Sequence, residues 1–203
     1  MTKIKICGIV RPVDAYAVNL CRPDYAGFVF AENRRRTVSS DHAEMLRDII
    51  SCDVKAVGVF QNNEPEYILK LCERGIIDLI QLHGDEDERY IHYLRLHTSL
   101  PIIKAVQAKD TETVLRAQEL SSDYLLIDTY DEKTNGGTGK SFDYSVLPKL
   151  TKPFFIAGGL NSSNINKALG VGAYGVDVSS GVETNGFKDT EKIAEIIKMI
   201  RSE

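Results

Sequence analysis

Residues 124–128 read Tyr124-Leu125-Leu126-Ile127-Asp128, and the polar loop behind them ends Gly136-Gly137-Thr138-Gly139-Lys140. A short apolar run without polar alternation, bounded by polar residues, is the pattern of a parallel strand buried on both faces. This one stops on an acid. Asp128 is expected where the strand leaves the core, half in an apolar wall. That environment raises a carboxyl pKa and can keep the group protonated as a general acid. The plainer alternative is an aspartate that caps the next turn, and taken alone it is the better reading. The glycine-rich stretch exposes backbone N–H groups, which suit an anion. It is not a P-loop: Gly139-Lys140-Ser141 would need a glycine where Thr134 stands, and the loop does not follow its strand directly. It is not a hairpin either, because residues 130–134 lack strand alternation.

Outward from this strand, strand and helix signals alternate in both directions. Apolar runs at Lys3–Cys7, Tyr25–Phe30, Val54–Phe60, Asp78–Leu82, Pro101–Val106, Pro153–Ala157 and Tyr174–Val178 read as the other strands. Between them lie helical patterns. Pro12 and Pro65 can each open a helix, where the missing N–H is not needed. Asp41-x-x-Glu44 resembles a capping box. The acidic residues 85–88 suit a helix N-terminus. A helix is expected over 111–119 and a weaker one near 144–150. Asn161 or Ser162 is expected to cap a helix closed by Gly170, and Ile193, Ile196, Ile197 and Ile200 form an apolar stripe at helical period. Eight strand–helix units of about 25 residues each predict an α/β fold, a (β/α)₈ TIM barrel in one compact domain over residues 1–203. A doubly wound open sheet is the competing architecture, but its glycine fingerprint is absent after the first strand, where the turn is Cys7-Gly8-Ile9-Val10.

Composition narrows the function. Hydrophobic residues make up 43% of 203, enough for a sizeable core. The net charge of −4, with Arg34-Arg35-Arg36 as the one basic cluster, argues against a nucleic-acid partner. No apolar run is long enough for a membrane span and no signal peptide is evident, so a cytoplasmic protein is expected. Cys7, Cys21, Cys52 and Cys72 form no CxxC, and neither a zinc site nor a disulfide framework is indicated.

In a barrel of this kind the active site lies at the C-terminal ends of the strands. The residues expected there are Cys7, the 32–36 loop, His83, Asp128, the 136–140 loop, Gly158-Gly159 and Asp177 to Gly181. Glycines after the seventh strand and Ser179-Ser180-Gly181 after the eighth fit a phosphate site built of backbone N–H groups. The alternative is that they simply close turns. Cys7 could take a proton from carbon if its pKa is lowered, or it could be a buried strand cysteine. Arg36 could clamp a carboxylate bidentately or be one solvated arginine of three. His83 reads equally as a ligand-orienting group or a turn histidine. Lys104 could be a Schiff-base lysine, though packing inside the barrel is the better reading.

Six stretches together resemble the phosphoribosylanthranilate isomerases of tryptophan biosynthesis, across essentially the whole chain. They are Lys5-Ile6-Cys7-Gly8, Gly27-Phe28-Val29-Phe30, Gln81-Leu82-His83-Gly84-Asp85-Glu86, Gly136-Gly137-Thr138-Gly139-Lys140 with Phe142-Asp143, Ala157-Gly158-Gly159-Leu160, and Asp177-Val178-Ser179-Ser180-Gly181-Val182-Glu183. The resemblance implies an isomerase that performs an Amadori rearrangement without a cofactor or metal. By position it makes Cys7 the general base, Asp128 the general acid and Arg36 the receiver of the anthranilate carboxylate. His83, Gly158, Gly159, Asp177, Ser179, Ser180 and Gly181 become substrate-binding residues for a phosphorylated small molecule. Arg36 is chosen over Arg35 because it stands three before Ser39. The chain departs from the family at Val10, often threonine there, and at Thr37, often aromatic. A monomer is expected, with a dimer as the alternative.

Overall fold

The computed structural model describes residues 1–129, 144 and 147–202. Eight parallel strands close into a barrel in chain order: β1 (Lys3–Cys7), β2 (Tyr25–Val29), β3 (Lys55–Phe60), β4 (Leu79–Leu82), β5 (Ile102–Gln107), β6 (Tyr124–Asp128), β7 (Phe154–Ala157) and β8 (Gly175–Val178). The helices outside it are α1 (Pro12–Cys21), α2 (Ser40–Ile49), α3 (Pro65–Glu73), α4 (Glu88–His97), α5 (Thr111–Glu119), α6 (Ile165–Leu169) and α7 (Thr190–Arg201). The ring closes through β1 and β8, where Lys5 pairs in register with Asp177.

Alternation along each strand divides the apolar residues into two layers. Leu125 and Ile127 point outward and join a large cluster between barrel and helices. Leu126 points inward with Tyr25, Val57, Leu79, Ile103, Ala105, Phe155 and Ala157. Asp128 shares the inward parity of Leu126. Cys7 pairs with Gly27, and a Cβ on Gly27 would lie 2.8 Å from the Cys7 Sγ, so the missing side chain makes room for the thiol. The stripe on α7 docks as its period requires: Ile193, Ile196, Ile197 and Ile200 are all buried. Each such isoleucine contributes roughly 1.5–3 kcal/mol before ordering costs.

Local details differ from the sequence reading. Helix α2 starts earlier than the Asp41-x-x-Glu44 pattern suggests, because the Ser39 hydroxyl already caps it, accepting from His42 N at 3.2 Å. Asn164, not Asn161 or Ser162, precedes α6. Asn161 instead closes the turn before it, accepting from Ser163 N at 2.9 Å. Asp87 caps α4, as the acidic run implied. The loop 136–140 and part of the weak helix near 144–150 lie outside the described residues, and Leu147 to Leu150 carry no helix. Beyond β8 a 3₁₀ turn (Ser180–Val182) leads into a small antiparallel pair, β9 (Glu183–Thr184) and β10 (Phe187–Lys188). Asn185 and Gly186 form its two-residue turn with φ of 52° and 83°, the geometry that an Asn-Gly hairpin favours. No helix among the described residues is long and apolar enough to cross a membrane.

Candidate active site

Cys7 ends β1 and Asp128 ends β6, so both lie at the C-terminal mouth of the barrel, facing inward from strands three places apart around the ring. The Cys7 side of the mouth is crowded with charge. Lys5, two residues earlier on the same face, is fully buried, and its Nζ donates to Asp177 Oδ1 at 2.9 Å. Lys188 reaches in from β10 and donates to Glu183 Oε1 at 2.8 Å and to Ser179 O at 3.0 Å. Burial pushes the Cys7 thiol up, and the Lys5 and Lys188 charges oppose that push. The outcome is a raised thiol, not the lowered one that ready ionisation calls for.

Asp128 stands opposite His83, with Oδ2 3.5 Å from His83 Nε2, so its surroundings are not wholly apolar. The other ring nitrogen, Nδ1, lies 2.9 Å from Gln81 Nε2. With the amide assigned this way, Gln81 donates to Nδ1, which leaves the histidine proton on Nε2, facing Asp128. His83 therefore sits at the mouth rather than in a turn remote from it.

Arg36 lies across Gly8, whose φ is 85°. A Cβ on Gly8 would come within 2.3 Å of the Arg36 Cδ. Glycine here serves two needs at once, a left-handed backbone and a flat seat for the arginine. Glu183 accepts from Arg36 Nε at 2.7 Å and from Arg36 Nη2 at 3.0 Å. Arg35 also donates to Glu183 but is more than half exposed and turns outward to Gly186 O. Burial alone would raise Glu183, but Arg36, Lys188 and Arg35 reverse this and hold it at about 2. The two departures from the family pattern have local partners of their own. Thr37 Oγ1 donates to Ala31 O at 2.5 Å and fixes the arginine loop, and Val10 offers its carbonyl to His42 Nε2 at 2.6 Å.

The turns after β7 and β8 meet. Gly158 and Gly159 have φ of 102° and 62°. A Cβ on Gly181 would fall 1.8 Å from Leu160 O, so only glycine lets the two turns touch. Among the described residues, the N–H groups of Gly159, Ser180 and Gly181 make no hydrogen bond, which leaves them for an anion. Ser179, expected among the substrate-binding residues, turns its hydroxyl elsewhere: it donates to Cys7 O at 3.0 Å and ties β8 to β1. Asp177 is likewise turned to Lys5, below the mouth. Lys104, the Schiff-base alternative, donates to Glu86 Oε2 at 2.7 Å and Gly84 O at 2.6 Å. A Schiff-base lysine attacks as a free amine, and Lys104 is instead the anchor of the loop after β4.

The family profile described as N-(5'phosphoribosyl)anthranilate (PRA) isomerase matches residues 4–199. The chain belongs to this isomerase family. It is 46% identical over 203 residues to the N-(5'-phosphoribosyl)anthranilate isomerase of Endomicrobium trichonymphae, covering all of both chains. It is 45% identical to that of Lachnoclostridium phytofermentans, with 96% of this chain and 95% of the other covered. The crystal structure of phosphoribosyl anthranilate isomerase from Thermotoga maritima superposes with a TM-score of 0.88 at 32% identity over the full length of both. A phosphoribosyl anthranilate isomerase crystallised with reduced 1-(o-carboxyphenylamino)-1-deoxyribulose 5-phosphate superposes at 0.83, with 30% identity and both chains fully covered. The fold, the isomerase class and the family resemblance are thereby borne out.

Lys188 escaped the sequence reading, and Lys5, Gln81 and Glu183 entered it only as the ends of motifs, not as site residues. Inward parity was a usable signal for Lys5 and Gln81, since each stands two residues before a residue that was singled out. The Asn185-Gly186 turn was a signal for the hairpin that brings in Lys188.

Proposed function

We propose that this protein catalyses the Amadori rearrangement of N-(5-phosphoribosyl)anthranilate to 1-(2-carboxyphenylamino)-1-deoxyribulose 5-phosphate in tryptophan biosynthesis, with Cys7 as general base and Asp128 as general acid. The observation that carries the assignment is the placement of these two groups, both inward and both at one mouth of a closed barrel, in a chain that matches the isomerase family from residue 4 to residue 199. A 1,2 shift of this kind needs an acid and a base on different sides of one sugar.

The sequence of proton transfers follows. Asp128, protonated, donates to the furanose ring oxygen, and the C1′–O bond breaks as the anthranilate nitrogen lone pair forms the iminium. The Cys7 thiolate then removes the C2′ proton, the C–H electron pair forms the C1′=C2′ bond, and the iminium π pair returns to nitrogen to give the enol-amine. Tautomerisation of the enol-amine gives the ketone. His83 is placed to hold Asp128 and to meet the substrate beside it. Arg36 receives the carboxylate, while the turns at Gly158-Gly159 and Ser180-Gly181 receive the phosphate through backbone N–H groups. Anchoring both ends aligns the reacting atoms with acid and base. No step calls on a cofactor or metal.

The four cysteines are free thiols and suit a reducing compartment, so the cytoplasmic setting is part of this proposal. So is a monomeric state, with a dimer as the alternative. A related structure is described as mutually generated monomers of the dimeric Thermotoga maritima enzyme. The test of the function is direct. Substrate made in situ from anthranilate and a phosphoribosyl donor should lose its anthranilate-type fluorescence when the purified protein is added. Unchanged fluorescence would sink the assignment.

A further inference from the structure

The reading of Cys7 as a base leaves a physical difficulty. A thiol this enclosed resists ionisation, and a base must ionise. Directly below Cys7, one inward layer down β1, lies an ammonium group with no exposed surface. Burying Lys5 against Asp177 is costly unless the geometry is good, and an apolar pair of similar volume would often serve stability as well or better. Most other inward-facing side chains are apolar, with buried Gln81 the polar exception. Stability alone therefore gives no reason for a charge at position 5.

We propose that Lys5 is a positioning residue, an ammonium held by Asp177 beneath Cys7 that stabilises the Cys7 thiolate. The proposal rests on the reading of Cys7 as the general base. The groups facing the thiol can be taken element by element. On β1 there is Lys5, and on β8 there is Asp177, whose carboxylate works against the thiolate. On β2 there is Gly27, which carries no charge. From β10 comes Lys188, whose own charge is shared with Glu183, and Glu183 is shared in turn with Arg36 and Arg35. Lys5 is the group least screened by water and least divided among partners. Burial pulls its ammonium down, but Asp177 and Cys7 outweigh burial and keep it above its ordinary range. It is a fixed positive charge across the working pH range.

The test reads the thiol rather than turnover. The full chain is alkylated with iodoacetamide across a range of pH. Modification is followed site by site by peptide mass spectrometry, with exposed Cys52 as the internal reference. Lys5→Met should slow Cys7 alkylation at neutral pH about ten-fold, as expected when the thiol's midpoint rises by about one pH unit, with Cys52 unchanged. Lys5→Met strands a buried carboxylate and can compromise folding, so Lys5→Met/Asp177→Asn is made beside it. That variant removes both charges at near-constant volume and should shift Cys7 in the same direction. The acid limb of kcat/KM should move up with it. An unchanged Cys7 midpoint in folded variants overturns the proposal, as does a wild-type Cys7 that stays unmodified where Cys52 has fully reacted. Failure of the base assignment shows separately, as near wild-type turnover in Cys7→Ala.

Discussion

The carboxylate of Glu183 holds two nitrogens of Arg36, Nε at 2.7 Å and Nη2 at 3.0 Å. The pair joins the loop after β2 to the strand after the 3₁₀ turn, residues 147 apart in sequence. It fixes the guanidinium plane before any substrate arrives. The far end of the fork, at Nη1, makes no hydrogen bond among the described residues, and that end can meet a second carboxylate.

Arg36→Met should therefore weaken binding of the anthranilate carboxylate, while Arg35→Met should do much less, because Arg35 points outward. Loss of a charge-assisted bidentate contact costs on the order of 1.5–3 kcal/mol, about ten- to hundred-fold in the Michaelis constant. Equal effects of the two substitutions on that constant would undo the choice of Arg36.

Gly8→Ala tests the seat under the same arginine. The added methyl would lie 2.3 Å from Arg36 Cδ, on a backbone with φ of 85°. The strain costs roughly 1–2 kcal/mol of stability, and the displaced arginine should raise the Michaelis constant as Arg36→Met does. A Gly8→Ala protein that lost stability but bound substrate normally would show that Arg36 has another way to reach its place.

The cluster also predicts an acid sensitivity. Glu183 is held at about 2, below its ordinary 4.5. A depressed carboxyl stabilises the folded state fully above its unfolded pKa, and this stability is lost as pH falls through the folded value. The contribution of Glu183 should accordingly fade between about pH 4.5 and 2. In Glu183→Gln that part of the pH dependence should be missing from urea unfolding curves. A wild-type and a Glu183→Gln profile of the same slope over that window would rule it out.

The meeting of the β7 and β8 turns makes the anion site testable. Sulfate should inhibit competitively, and at ten times its dissociation constant should stabilise the protein by about 1.4 kcal/mol. Gly159→Asp should abolish this while leaving the fold intact, since a Cβ there meets nothing within 4 Å and its φ of 62° is one that aspartate tolerates. The block is then one of charge more than of crowding. Gly181→Ala should abolish it by the other route, forcing the turn off Leu160 O. A full sulfate shift in Gly159→Asp would place the anion elsewhere.

What the sequence made legible follows from the range of the interactions concerned. Strand 124–128 could be read because burial on both faces writes itself into consecutive residues, and α7 could be read because one buried face writes itself at helical period. Cys7 and Asp128 could be placed because each ends a strand, and His83 because it directly follows one. The pairs that define their surroundings could not. Lys5 and Asp177 are 172 residues apart and meet only through closure of the ring. The hairpin that delivers Lys188 announces itself in Asn185-Gly186, but its strands are too short to alternate. Ser179 looked like a substrate-binding residue because nothing local shows that the Cys7 carbonyl takes its hydroxyl.

The most direct measurement of the whole account is single-turnover loss of substrate fluorescence by three purified, folded proteins: wild type, Cys7→Ala and Asp128→Asn. Rapid loss is expected with wild type and rates lower by about 10²–10⁴ in each variant, the usual contribution of a general acid or base. Near wild-type rates in either variant, with the fold confirmed by circular dichroism, would contradict it.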